Sequence, residues 1–207
     1  MIWLAIGVVI LLLGMVLMQL FKKRPVAAAN APVPDLANLK VTDARAGDVI
    51  SISGAGDNLE DLDFTTDRST RFTAGTRTWF ELSGPYRERR AALRVGGDEE
   101  VEVAISDPKK ITLEDVGLSE DDLADLDSRQ NTADNFEFDG KVWLYRLSRE
   151  AFGQRNDQAQ PAGFYYWEFQ EQAGKDLLAI RKAEGEPFTV TRYTGIPAGN
   201  VTVYRGR

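Results

Sequence analysis

The side chains best suited to proton transfer and metal capture near neutral pH are missing from this chain, which has no histidine and no cysteine among its 207 residues. Ser–His–Asp triads, Cys–His dyads, thiolate metal sites and disulfides are therefore excluded. Carboxylate, lysine and tyrosine chemistry remains. The 32 acids supply no pair whose spacing marks it for glycoside chemistry. The residues point to a non-enzymatic protein, and no catalytic, cofactor-binding or metal-binding residue is assigned.

The densest chemistry-bearing stretch runs from Asp98 to Asp127, with twelve acids against the two bases Lys109 and Lys110. Within it Glu114, Asp115, Glu120, Asp121, Asp122 and Asp125 form the candidate face for a basic partner or a polycation such as a polyamine. The plainer account of such a run is a solvated face that keeps the domain soluble and off anionic lipid. Two acid-rich segments raise the idea of calcium, Asp57 to Asp63 and Asp121 to Asp127, but neither has the spacing, central glycine and terminal glutamate of an EF-hand loop. Arg87, Arg89, Arg90 and Arg94 could grip phosphate, although exposed cations that block edge-to-edge strand pairing are the commoner use of such a cluster. Gly54-Ala55-Gly56 opens no helical pattern and is not read as a phosphate loop. Tyr165, Tyr166, Trp167 and Phe169 form an aromatic run. In a strand, 165, 167 and 169 share one face and 166 takes the other, and core or sheet cover is the expected role.

The elements that must position these groups begin with a membrane anchor. Ile2 to Phe21 are twenty residues with Gln19 as the only strongly polar one, and thirteen of them are Leu, Ile, Val or Phe. A helix of that length spans roughly 30 Å, the thickness of a bilayer's hydrocarbon core. A cleaved signal peptide fits less well, because no charge precedes the apolar run and Lys22, Lys23 and Arg24 separate it from the alanines at 27–29. Those three bases are the topology determinants. They hold the C-terminal flank in the cytoplasm, so the chain is expected as a single-pass protein of the cell inner membrane, with its N-terminus outside. They account for three of the 25 bases and no acid precedes them, so the remainder carries 22 bases against 32 acids. An acidic domain of that kind is not a nucleic-acid binder.

The expected domains are 1–24 (anchor and basic flank), 25–40 (a Pro/Ala-rich tether), 41–112 (a first β-meander), 113–134 (an acidic helical connector) and 135–207 (a second β-meander). Alternating runs support the strands at 48–53, 77–82, 91–95, 100–105, 136–138, 141–146, 164–169, 176–182, 188–193 and 201–204. Asp139-Gly140 is the preferred dipeptide of a tight hairpin. Ser119, with Asp122 three residues on, marks a short helix to about Asp127. Trp79-Phe80-Glu81-Leu82 followed by Ala92-Leu93-Arg94-Val95 has a counterpart in Trp167-Glu168-Phe169 followed by Leu178-Ala179-Ile180-Arg181. The fold class expected is all-β: two related meanders packed as a sandwich or partly open barrel, with one short acidic helix between them.

Gly47-Asp48, Trp79-Phe80-Glu81-Leu82, Asp139-Gly140, Tyr166-Trp167-Glu168-Phe169, Leu178-Ala179-Ile180, Tyr193-Thr194-Gly195 and Val201-Thr202-Val203-Tyr204 resemble, over residues 44–204, the bacterial domain-of-unknown-function family 4178. No catalytic residue is recognised for such domains, so none is carried over. Members are encoded beside proteins resembling phage-shock protein A, small multi-pass membrane proteins and polyamine aminopropyltransferase-like enzymes. The resemblance therefore implies an adaptor or regulator in a membrane-stress or polyamine-linked system, with another membrane-associated protein as partner.

The anchored reading has a direct consequence. Washing membrane vesicles with alkaline carbonate should leave the intact chain in the pellet, and a reporter fused to its C-terminus should signal from the cytoplasmic face. Release of the intact chain, or a periplasmic signal, overturns it.

Overall fold

A computed structural model describes residues 39–97 and 100–206. The expected anchor with Lys22, Lys23 and Arg24, and the tether up to residue 38, lie outside the described residues. Among the described residues no helix is long and apolar enough to cross a membrane.

Twelve strands follow in chain order: β1 (Val49–Ile52), β2 (Leu62–Thr65), β3 (Arg68–Ala74), β4 (Arg77–Tyr86), β5 (Arg89–Gly96), β6 (Glu102–Ser106), β7 (Asn135–Phe138), β8 (Lys141–Arg155), β9 (Ala162–Glu171), β10 (Leu177–Lys182), β11 (Thr189–Ile196) and β12 (Val201–Tyr204). Among the described residues one α-helix, α1 (Glu120–Arg129), lies between β6 and β7. Strands β3, β4, β5, β6, β11, β10, β9 and β8 pair in that order, and β8 returns to β3 with Phe72 opposite Gly153. The result is a closed, antiparallel eight-stranded barrel. Strand β7 extends the sheet beside β8, and β12, β1 and β2 make a separate three-stranded sheet.

Closure goes beyond the sandwich or partly open barrel expected from the pattern. Two seams complete it, β6 against β11 and β3 against β8. Both join segments far apart in the chain. Strands β2 and β3 were not anticipated, because Leu62–Thr65 is short and flanked by acids and Arg68–Ala74 is mostly polar. Strand β4 continues through Ser83-Gly84-Pro85 to Tyr86, where a turn was expected. The glycine is required there: a Cβ at position 84 would stand 2.0 Å from the Thr65 carbonyl oxygen.

Each barrel wall is covered on both faces, which produces three cores. Inside the barrel sit Phe72, Ala74, Trp79, Ala104, Leu147, Ala151, Tyr166, Leu177, Ala179 and Tyr193. Outside, the three-stranded sheet brings Ile50, Ile52, Leu62, Phe64 and Val203 against Leu82, Leu93, Val95 and Val103 of the first half. On the second half, α1 packs Leu123 and Leu126 over Trp143, Tyr145, Trp167, Phe169, Leu178 and Ile180. Strands wrapped on both sides lose their polar face, which is why Leu177-Leu178-Ala179-Ile180 is apolar at four consecutive positions and fully buried.

Two local devices set this geometry. A bulge in β8 between Tyr145 and Leu147 shifts its alternation, so Trp143 and Tyr145 pack under α1 while Leu147 and Ala151 turn inward. The hairpin from β7 to β8 turns on Asp139 and Gly140 at φ 54° and 68°, the paired left-handed conformation that two-residue hairpins use.

Helix α1 begins as its sequence implies. Ser119 accepts a bond from the Asp122 amide at 3.1 Å, and Asp122 accepts in return from the Ser119 amide at 2.8 Å. The helix is latched to the wall by Trp167 Nε1, which donates to the Leu123 carbonyl at 3.1 Å. Asp127 Oδ1 accepts from Tyr165 and Ser148 hydroxyls, each at 2.5 Å. Burial pushes the Tyr165 phenol up to about 12, with the Asp127 carboxylate adding to the shift.

Replacing Ser119 by Ala should cost about 1 kcal/mol of stability. Leu123→Ala, which empties a buried site under the helix, should cost roughly 2–5 kcal/mol. Urea unfolding followed by circular dichroism measures both.

Candidate functional site

Period-two alternation sends Arg77, Trp79 and Glu81 of β4 into the barrel, while Leu82 of the same strand packs outside. It does the same for Arg94 of β5, Tyr166 and Glu168 of β9, Arg181 of β10 and Tyr193 of β11. Charges this deep survive only if paired and bonded, and these form two groups. In the first, Glu168 Oε2 accepts from Arg94 Nη2 at 2.5 Å and from the Tyr166 hydroxyl at 2.7 Å, while its Oε1 accepts from Arg77 Nη1 at 2.9 Å. Arg94 Nη1 also donates to the Tyr166 oxygen at 2.6 Å. In the second, Glu81 Oε2 accepts from Arg181 Nη2 at 2.9 Å and from the Tyr193 hydroxyl at 2.7 Å.

Aromatic rings fill the space between the charges. The Arg94 guanidinium lies 4.7 Å from the Trp79 ring centroid, and that of Arg181 lies 4.5 Å from Phe72. Trp79 in turn stacks on Phe72 at 5.3 Å and leans on Tyr166 at 5.0 Å.

Glu81, Glu168, Arg94, Arg181, Tyr166 and Tyr193 are each driven further into their neutral-pH states. Burial alone would raise the Glu168 carboxyl, but the field of Arg94, the Tyr166 bond and Arg77 overcome it and hold it below the ordinary value. Glu81 is lowered in the same way: burial opposes, and Arg181 and Tyr193 prevail. Burial pulls on Arg94 and Arg181 too, yet their tyrosine and glutamate neighbours keep both above the usual arginine range. Burial lifts Tyr166 and Tyr193 well above a free phenol, against the opposing fields of Arg94 and Arg181.

One rim of the barrel is open. The start of β4, the end of β5, the start of β6, the end of β11 and the start of β10 surround a cavity of ≈ 480 Å³, within the size range of small-ligand sites. Trp79, Arg77, Arg94 and Glu168 line its inner part, with Arg146 and Lys175 also among its walls. Trp79 is only 3% exposed, and its Nε1–H has no hydrogen-bond partner among the described residues. A buried orphan donor of this kind carries a cost of about 1–3 kcal/mol.

Comparison with family models, with curated proteins and with solved structures finds no match to this chain. The strand segments at 79–82 and 166–169 carry Trp79, Glu81, Tyr166 and Glu168 into the barrel.

The residues singled out from sequence fall elsewhere. Glu114, Asp115, Glu120, Asp121, Asp122 and Asp125 are all exposed. Asp122 is occupied in the helix cap and Asp115 in a turn, where it accepts from the Thr112 amide at 2.8 Å. Asp125 lies 3.9 Å from Arg129. Glu114, Glu120 and Asp121 form no ion pair among the described residues. The arginine cluster divides. Arg87 and Arg89 pair with Asp57, Arg87 also pairs with Glu60, and Arg90 pairs with Asp67, all at the surface. Arg94, expected with them on an exposed edge, is instead inside the barrel and 8% exposed. Of the acids at 57–63, Asp57 and Glu60 are engaged by Arg87 and Arg89, and Asp61 by the Gly54 amide. In the aromatic run, Tyr165, Trp167 and Phe169 pack under α1 and Tyr166 points into the barrel.

Arg77, Glu81, Glu168, Arg181 and Tyr193 were not anticipated as a group. Their sequence signal is a glutamate set among large apolar neighbours in a strand, as in Tyr166-Trp167-Glu168-Phe169, because acids are almost never fully buried unless paired.

Glu168→Gln should destabilise the protein by about 3 kcal/mol at neutral pH, since it leaves Arg94 without its carboxylate in a dry interior. The folded Glu168 and Glu81 carboxyls titrate below 4.5, the value of an unperturbed glutamate. Their contribution to stability is thus complete above about pH 4.5 and is lost as pH falls through the lower, folded values. Urea unfolding between about pH 7 and about pH 3 should show a shallower acid loss in the variant than in the natural chain.

Proposed function

We propose that this chain is a membrane-tethered, non-catalytic binding domain that takes a small ligand at the open rim of its barrel and acts as a sensor. Residues 2–21 would hold it in the cell inner membrane with the barrel on the cytoplasmic side. The setting would be the membrane-stress or polyamine-linked system that the resemblance implies. The cavity of ≈ 480 Å³ with Trp79, Arg77, Arg94 and Glu168 along its wall carries this reading. It is concave, mixed in polarity and built on strands, which is the usual form of a small-molecule site. The interior groups support binding over catalysis. The carboxylates are held low and the phenols high, so none is poised to exchange a proton near neutral pH.

A second reading, an adaptor that docks a basic, membrane-associated protein or a polyamine on the connector face, is favoured by one observation. Glu114, Glu120 and Asp121 are exposed and make no ion pair among the described residues. Such a face would act mainly through on-rate and salt-sensitive attraction.

A ligand of the barrel present at 100 times its Kd should add about 2.7 kcal/mol to folding stability. Thermal unfolding of the full-length chain against a small-molecule panel detects this. The effect should vanish in Leu177→Trp, which fills the cavity. Stabilisation that survives this change while disappearing in the triple variant Glu114→Gln, Glu120→Gln, Asp121→Asn would favour the adaptor reading instead. Spermidine at low salt is the polyamine probe for that variant.

A further inference from the structure

We infer that the outer face of the barrel along the β3–β8 seam is a contact surface for a second copy of this chain, packed across a twofold axis. Phe72 and Ala74 of β3, Trp79 of β4 and Ala151 of β8 lie in the lumen, so alternation turns Arg71, Thr73, Phe80, Glu150 and Phe152 outward. Phe80 is 40% exposed and Phe152 44%. Among the described residues neither belongs to the cores beneath the two covers, and neither lines the rim cavity. Phe152 stands opposite Thr73 on one side and Gly163 on the other. Both neighbours are short, so the ring stands proud of the wall.

The charges beside these rings specify the occupant. Arg71 and Glu150 are exposed and form no ion pair among the described residues. Arg71 stands opposite Gln154, four residues along β8 from Glu150, which at about 3.3 Å per residue is roughly 13 Å. They are too far apart to pair within one chain. Thr73 and Phe152, opposite each other, lie midway between them. A twofold axis over that midpoint brings Arg71 of each chain onto the partner's Glu150, so the ion pair forms twice, with the two Phe152 rings meeting at the centre. A twofold interface has to be complementary to itself. One free cation and one free anion on opposite sides of an apolar centre meet that condition. A partner of a single charge sign would be matched at one of the two and opposed at the other. A contact of so few side chains makes a weak dimer.

The chain has no cysteine, so a single introduced thiol reports this contact alone. Thr73→Cys, beside the axis, is treated with the short thiol cross-linker bismaleimidoethane in the full-length chain in mild detergent. Facing sheets pack about 10 Å apart, a gap that the linker and two side chains can bridge. Cross-linked dimer should form with Thr73→Cys and not with Thr189→Cys, an exposed position on β11, which lies across the barrel from β3. Added to Thr73→Cys, either Arg71→Glu or Glu150→Arg should raise the concentration needed for half cross-linking about tenfold, because each change acts at two symmetric contacts. Combining Arg71→Glu with Glu150→Arg should restore the dimer, which a loss of folding would not permit. Absence of dimer with Thr73→Cys, or equal cross-linking with Thr189→Cys, would overturn the inference. Dimer that forms with Thr73→Cys but ignores both charge reversals would assign the association to another surface and overturn it as well.

Discussion

The pairing of Glu168 with Arg94 and Arg77 inside the barrel is the constraint on which the rest of the structure depends. A closed barrel has no free edge, and an eight-stranded lumen is largely filled by its own side chains. An acid placed on the inward side of β9 must therefore be neutralised from across the lumen, and the arginine that does so comes from β5, 74 residues away in the chain. Glu81 and Arg181 repeat the arrangement in the reverse direction, from β4 to β10. The two ion pairs thus tie each half of the barrel to the other. Such pairs add little net stability compared with an apolar core of equal volume, but breaking one leaves a buried charge unmatched. Their effect is to select one register and one closure among the many that alternating strands would permit.

A wall with charges on its inner face must gain its hydrophobic burial elsewhere. The outer faces supply it. The three-stranded sheet covers one half and α1 covers the other, so each half has its own roof and they share the lumen. The chain order reflects this. β1 and β2 precede the barrel, β12 follows it, and Asp48 joins the two ends: it accepts from Arg205 Nη1 at 2.9 Å and from the Gly206 amide at 3.1 Å. On the other side, the carboxylate of Asp127, at the C-terminal end of α1, is bonded by Tyr165 and Ser148. These polar contacts fix where each cover sits, while the apolar contacts beneath them supply most of the free energy.

The same arrangement separates two possible kinds of work. The acidic connector lies on the outside, over the second half, with its carboxylates from Glu114 to Asp125 in water, where attraction is long-ranged but weak per contact. The rim cavity lies within the wall, where a single unpartnered donor such as Trp79 Nε1–H counts for more because little solvent screens it. Recognition of a small molecule belongs to the second environment, and steering of a large partner belongs to the first.

Much of this was determined by the sequence alone. Alternating runs located ten of the strands, Asp139-Gly140 placed a hairpin, Ser119 and Asp122 started the helix, and the missing histidine and cysteine removed whole classes of chemistry. These are local properties, carried by residues within a few positions of each other. The tertiary structure decided which face of each strand turned inward. Alternation shows that two faces differ, but where both are covered it does not say which is the lumen, and a charge such as Arg94 reads as solvent-facing until its partner from β9 is in place. Barrel closure, the short strands β2 and β3, the shifted alternation in β8 and the meeting of Arg77, Arg94 and Glu168 all arise from contacts between segments distant in the chain. Their free energy exists only once the whole barrel has formed.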